Sequence, residues 1–518
     1  MRRLKKRILF LWLAAFVCFL WVPSSGWAKD PEKVITIGDY SVIKTLDPAA
    51  LSLSQETMIA RNIFQTLVRF KFNSSEIEGD LAKSWTVSKD GLLYTFNLRD
   101  DVQWHKGFGK FTAQDVKYTF DRLSDPKAGF KERFSELSVI KDVKVTGDYT
   151  VEFYLKSPYA PFLSRLATFW GVPIVKKEAL EKFGKDSGRN PIGTGPFIFD
   201  SWTREECVVV ANKDFKQRQG PPKIDKVVYK IIPDPDTAIL TLLKGDIDMI
   251  WVMPREKALM DRFIAAGLKV KITKRPIIMR LVMNNKKKPF DDVRVRRAIA
   301  QAIDKDSLVT HVFGGIVERI DTHIADGTFG HATEGIPRYN YDSEKAKKLL
   351  AEAGYPNGFE VNLDTFQSPS YLPLATALVE QLRKINITVK LVVTDQNVWI
   401  SKMSQGTTDF TLQLPPPCVD ADQHLTLYYH SASFSPGFNV SKYDKIDDLI
   451  EKARTESDPQ KRLQMYYQIQ KKMMEDVPTI PLLSMHMPIP YKANIDGIPE
   501  RDCNWGFEYY YLHFVDKK

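Results

Sequence analysis

The sequence predicts an α/β protein of two lobes joined by crossing strands. Three observations predict it. At 518 residues, the chain has room for roughly three compact units of about 150 residues each. Strand-like runs alternate with amphipathic helical runs in both halves, the pattern that builds α/β layers. No low-complexity or Gly/Ser-rich spacer divides the halves, so the lobes are expected to share strands, not a flexible linker. With 43% hydrophobic and 12% aromatic residues, disordered, collagen-like and disulfide-scaffold classes are excluded.

The N-terminus reads as an address. Arg2, Arg3, Lys5, Lys6 and Arg7 precede an apolar run of 15 residues, Ile8 to Val22. A spanning helix needs about 20, so the run suits a secretory signal occupying residues 1–28, cleaved after Ala28. An uncleaved anchor or a lipid attached at Cys18 are the alternatives; Phe16 and Val17 are bulky for a lipid box. Without residues 1–28 the formal charge falls from +10 to +5, with 69 basic against 64 acidic residues. A nucleic-acid partner would need a concentrated basic stripe with a reading element, and none is found. Cys207, Cys418 and Cys503 remain, an odd set that closes at most one disulfide.

The elements follow in order. Val34 to Ile37 is a strand, then come the turn Leu46-Asp47-Pro48 and a polar loop from Ser52 to Thr57. Ile59, Ile63 and Leu67 mark a helix. Lys89-Asp90-Gly91 sits between alternating runs, a hairpin signal. Thr112 and Asp115 form a capping box for a helix through Val116, Phe120 and Leu123. Tyr149 to Leu155 alternates as a half-buried strand does. Val295, Ala298, Ile299, Ala302 and Ile303 share one helical face. Another helix starts at Ser343 and stops at Gly354. A helix through Leu378, Leu382 and Ile385 feeds the strand Thr388 to Val393. Asp458-Pro459 opens a late helix with a cap and a first-turn proline.

Catalytic and metal signatures are missing. No G-x-S-x-G, H-E-x-x-H or G-x-x-x-x-G-K-[ST] occurs. Gly107-Phe108-Gly109-Lys110 lacks a phosphate loop's length, and no Cys/His spacing suits zinc. No enzyme, metal or cofactor is therefore expected.

Leu81 to Leu123 reads LAKSWTVSKDGLLYTFNLRDDVQWHKGFGKFTAQDVKYTFDRL. This closely resembles the signature region of the family 5 extracellular solute-binding proteins of ABC transporters, the dipeptide/oligopeptide type. Asn190 to Phe197, Leu243 to Asp248, Pro289 to Arg296, Ala302-Ile-Asp304, Tyr341 to Gly354 and Asp420 to Ser431 match in the same order. The resemblance implies a periplasmic-binding-protein clamp, type II-like and of the large class with an extra subdomain. Lobe I would comprise residues 29–275 and 489–518, with the subdomain at about 68–190, and lobe II residues 276–488. Crossovers are expected near Lys274–Asn285 and Leu483–Tyr491. It also implies a monomeric periplasmic protein that hands a small solute to an inner-membrane ABC permease. The alternative is a sensor or chaperone-like binding protein uncoupled from import.

Two departures qualify the ligand. Pro417 falls where peptide-binding relatives place an aspartate for the α-ammonium. Gln367 to Ser370 falls where a carboxylate-binding arginine belongs. An ordinary zwitterionic dipeptide is thus disfavoured; a glycoside, modified or longer peptide, opine-like compound or chelate remains open. The candidate ligand residues are Ser54, Gln55, Glu56, Arg280, Trp399, Leu414, Cys418, Asp420 and Asp422. Each has a bland counterpart: Trp399 as cover for a helix, Cys418 as a small hydrophobe, Asp420 and Asp422 as caps, Glu56 and Arg280 as partners in a rim salt bridge.

Overall fold

The computed structural model describes residues 32–40, 42–130, 135–168, 172–332, 334–502 and 508–515. The signal segment with its cleavage site, and Cys503, lie outside them.

Three sheets organise the chain. The first has seven strands, in the order Leu268–Thr273, Met487–Lys492, Met249–Ile250, Val34–Asp39, Lys226–Ile231, Glu206–Ala211 and Phe197–Trp202. Its centre is parallel: Val34–Asp39 pairs in register with Lys226–Ile231 on one side and Met249–Ile250 on the other. The late strand Met487–Lys492 enters antiparallel beside Leu268–Thr273. The second sheet has six strands, ordered Glu318–Arg319, Thr479–Ser484, Ile278–Met283, Phe410–Gln413, Phe359–Phe366 and Ile387–Thr394. A four-stranded antiparallel sheet, Ala82–Val87, Leu93–Leu98, Thr150–Leu155 and Ile140–Gly147, carries its own core around Phe96, Phe120 and Phe153.

The chain changes sheets twice. It leaves the first sheet after Thr273 and joins the second at Ile278, then returns between Ser484 and Met487. Ile278–Met283 and Thr479–Ser484 are buried at every residue, as strands covered on both faces must be. These short connections place backbone from both sheets side by side.

Local rules explain most elements. Thr112 and Asp115 form the expected capping box, and Ala113–Ser124 is the helix. The Asp458 carboxylate accepts from the amides of Gln460 and Lys461 at the head of Pro459–Asp476. The first helix differs from expectation. It occupies Ser54–Ile63, so most of the polar stretch Ser52–Thr57 is its first turn, and Leu67 lies beyond its end. Glu56 causes this by accepting the amides of Ser52 and Leu53 ahead of the helix. At the other end Gly193 and Gly195 lie against the backbone of Ile63, where any Cβ would collide with it. The Gly195 amide donates to the Ile63 carbonyl at 2.8 Å. The helix is thus pinned at both ends.

Candidate functional site

A cavity of about 200 Å³ opens where the chain changes sheets. Asp39 and Tyr40 close the strand Val34–Asp39, while Trp251 and Met253 follow Met249–Ile250. Both strands are parallel, and such strands present ligand sites at their C-terminal ends. The helix Ser54–Ile63 adds Gln55 and Met58. From the other side come Ile277, Leu414, Pro415 and Pro416, the last three following Phe410–Gln413. Arg275, Met485, His486 and Met487 come from the two crossing segments or their edges.

Arg275, the guanidinium in the lining of this cavity, is already paired. Arg275 Nε lies 3.1 Å from Asp502, and both side chains are buried. Asp39 is buried beside Tyr229 and Tyr40. Burial first, and the Asp39 carboxylate second, push the Tyr40 hydroxyl up to about 12 and raise that of Tyr229 well above the usual tyrosine value. His486 Nε2 is 3.3 Å from Glu318. Burial lowers its pKa below the usual histidine value despite that neighbour, so the ring is neutral at pH 7. The Ser370 hydroxyl donates to the Pro254 carbonyl at 2.7 Å. Ser370, in the segment expected from the resemblance to hold a carboxylate-binding arginine, thus binds backbone beside the cavity.

Of the nine sequence-derived candidates, Gln55 and Leu414 line this cavity. The side chain of Ser54 lies outside the described residues. The other six take different positions, each for a physical reason. Glu56 is fully buried, and its carboxylate accepts from the amides of Lys44, Thr45, Ser52 and Leu53 at 2.7–3.2 Å. It folds the entry to the first helix and is not at a rim. Arg280, 2% exposed, points into the second sheet's own packing. Its Nε and Nη2 donate to Gln413 Oε1 at 3.2 and 2.6 Å, and Nη1 donates to the Tyr429 hydroxyl at 2.8 Å. The guanidinium also lies over the rings of Tyr428 and Tyr429. It is neither a crevice anion partner nor in a rim salt bridge.

Trp399 belongs to the hydrophobic core. Its ring packs on Phe366 and Tyr371 with centroids 4.7 and 5.4 Å away, and its indole N–H donates to Thr411 Oγ1 at 2.9 Å. Cys418 is buried beside a separate cavity of about 10 Å³, room for no more than about one water. Burial pushes its thiol up to about 12, so it is inert at neutral pH.

Asp420 and Asp422 anchor a charged network. Asp420 caps the helix Ala421–Tyr429 and receives two bonds from Arg462, at 2.8 and 2.6 Å. Asp422 receives Arg454 Nε at 2.9 Å, yet burial still raises its pKa. Arg165 is buried nearby. Desolvation lowers its pKa to about 10, against the opposing pull of Cys418, Asp422 and Asp420.

Sequence reasoning missed most of the lining: Tyr40, Met58, Trp251, Met253, Met485 and Met487. Position along the chain carried the signal. Met485-His486-Met487 lies inside the segment expected to cross between lobes, and Trp251 closely follows the Leu243–Asp248 motif.

Two sheets joined by short crossing segments, with a crevice at the crossings, define the periplasmic-binding-protein architecture. Solved structures agree. A periplasmic binding protein from Helicobacter pylori in complex with peptide STSA superposes with TM-score 0.79 at 28% identity, covering 93% of this chain and 98% of that one. A binding protein from A. tumefaciens R10 in complex with mannopinic acid gives 0.77 at 28%, covering 94% and 100%. A curated relative, the glutathione-binding protein of Salmonella paratyphi A, is 28% identical over 506 residues, covering 94% of this chain and 97% of its own length. Residues 76–435 match the bacterial extracellular solute-binding proteins, family 5 Middle. The chain belongs to the family 5 extracellular solute-binding proteins of ABC transporters. These are solute-binding proteins, not enzymes. Among the described residues no helix is long and apolar enough to cross a membrane.

Proposed function

We propose that this chain is the periplasmic capture component of an ABC importer, exported on residues 1–28 and acting as a monomer. Residues 29–275 with 489–518 form one lobe, with residues 68–190 as its subdomain, and residues 276–488 form the other. The cavity at the crossings is where the solute is held before delivery to the permease. One observation carries the reading: this cavity draws its lining from strand ends of both large sheets and from the segments that join them. A solute touching both sides favours the closed arrangement, by its differential affinity for closed over open. A micromolar scavenger would supply about −8 kcal/mol in total, part of it consumed in closure.

The solute is not an ordinary zwitterionic dipeptide. The Arg275–Asp502 pair supports this for the carboxylate end, because a carboxylate buried without a partner costs several kcal/mol. Thermal-shift screening of the purified protein tests both statements. Saturation at about 100 times Kd adds about 2.7 kcal/mol of stability, so a true ligand raises the melting temperature by several degrees. Ala-Ala and similar dipeptides are expected to produce no such rise. A clear dipeptide shift overturns the ligand statement. A solute shift that survives blocking of the cavity overturns the assignment of the site.

A further inference from the structure

The lining of the crevice narrows the solute class, given that the crevice is the capture site. Four methionines, Met58, Met253, Met485 and Met487, face one cavity together with Trp251 and Leu414. The whole sequence holds 13 methionines, and these four arrive from three separate stretches of chain. Methionine is unbranched and polarizable, so a methionine wall adapts to apolar shapes and packs well against rings. It offers almost nothing to hydroxyl-rich or charged molecules, whose hydration must then be given up without return.

The polar groups at the cavity point the same way. Arg275 is matched by Asp502, 3.1 Å away. Asp39 is buried beside Tyr40 and Tyr229, and His486 adds a neutral ring. A ligand carboxylate would have to pull Arg275 away from Asp502, and any charged ligand would lose its hydration against thioethers. Apolar surface would only displace water from thioethers and the indole.

We infer that the crevice captures a compact, uncharged and predominantly apolar solute, with the methionine wall as its main contact surface. Discrimination against charged solutes then comes from their desolvation against an apolar wall whose guanidinium is already paired, not from steric exclusion. The reading predicts that removing a ligand's charges, with its side chain unchanged, improves binding.

The test compares N-acetyl-L-phenylalaninamide, which is uncharged, with zwitterionic L-phenylalanine, by calorimetry and thermal shift on the purified protein. The capped compound is expected to bind at least about tenfold more tightly. The variant M253Q/M487Q, which keeps side-chain length and adds polarity, is expected to weaken it about tenfold or more. Equal or tighter binding of free phenylalanine overturns the inference, as does no binding of the capped compound at millimolar concentration. Both outcomes are read on the unaltered protein, so a folding defect in the variant does not shield the proposal. A polar solute such as glutathione that binds, and is weakened by M253Q/M487Q, overturns the apolar class and leaves the capture site standing. Binding of such a solute that ignores the variant overturns both.

Discussion

The crevice and the network under the helix Ala421–Tyr429 are built from opposite materials. The network holds buried Asp420, Asp422 and Arg462 and half-buried Arg454 in hydrogen-bonded pairs, with buried Arg165 close by. The crevice presents thioethers, an indole, prolines and a leucine, with Arg275 already paired to Asp502. A buried pair costs desolvation on both sides and is held only by good geometry, so it fixes the position of helices. An apolar wall has no such directional demand and tolerates a changing partner. In this chain charge builds the frame, and apolar surface is left for the solute.

That division can be broken by mutation. The largest effect is expected for Arg462→Ala, which strands the buried Asp420 carboxylate. Loss of one partner of a buried pair costs about 4 kcal/mol, read as a lower urea midpoint, while solute affinity of the folded fraction stays within about threefold. A large affinity loss at unchanged stability would move Asp420 into the ligand site. Trp399→Ala follows, removing a packed indole at a cost of about 3 kcal/mol. Unchanged stability with lost affinity would restore Trp399 as a ligand contact.

Acid should act on the frame as well. Burial is the leading cause of the lowered pKa values of His323, at about 3, and of His424. Their unfolded values are near 6.5, so between about pH 6.5 and 3 for His323, and below about pH 6.5 for His424, the unfolded chain binds more protons than the folded one. Stability is therefore full above about pH 6.5 and falls as pH drops, by up to about 1.4 kcal/mol per unit for each histidine. Replacing both by glutamine should flatten the profile measured by urea unfolding. An unaltered slope would mean that these rings are protonated in the folded protein.

The contrast also explains what was legible beforehand. Capping boxes, the Asp-Gly hairpin and amphipathic helices obey rules that span a few residues, so the sequence displays them directly. The second crossing segment was legible because Pro478, Pro481, Pro488 and Pro490 argue against helix there. The charged candidates misled because the partners of Asp422 and Asp420 arrive from 32 and 42 residues away, and an unpartnered carboxylate in sequence resembles a site. Gln55 and Leu414, expected near the crevice from the family resemblance, do line this cavity. Met58, Met253, Met485 and Met487 read as ordinary core residues, because only the meeting of the two sheets turns them toward one space.

The central claim, that an uncharged apolar solute occupies the cavity at the crossings, is tested most directly by mass spectrometry of what the protein carries through purification. Wild-type protein and Leu414→Trp, which fills the cavity from its edge, are purified in parallel and denatured to release bound material. The wild type is expected to release an uncharged, largely apolar compound that is depleted from Leu414→Trp, with the two melting temperatures within about 4 °C. A charged solute from the wild type, or equal amounts of solute from both proteins, would contradict the account.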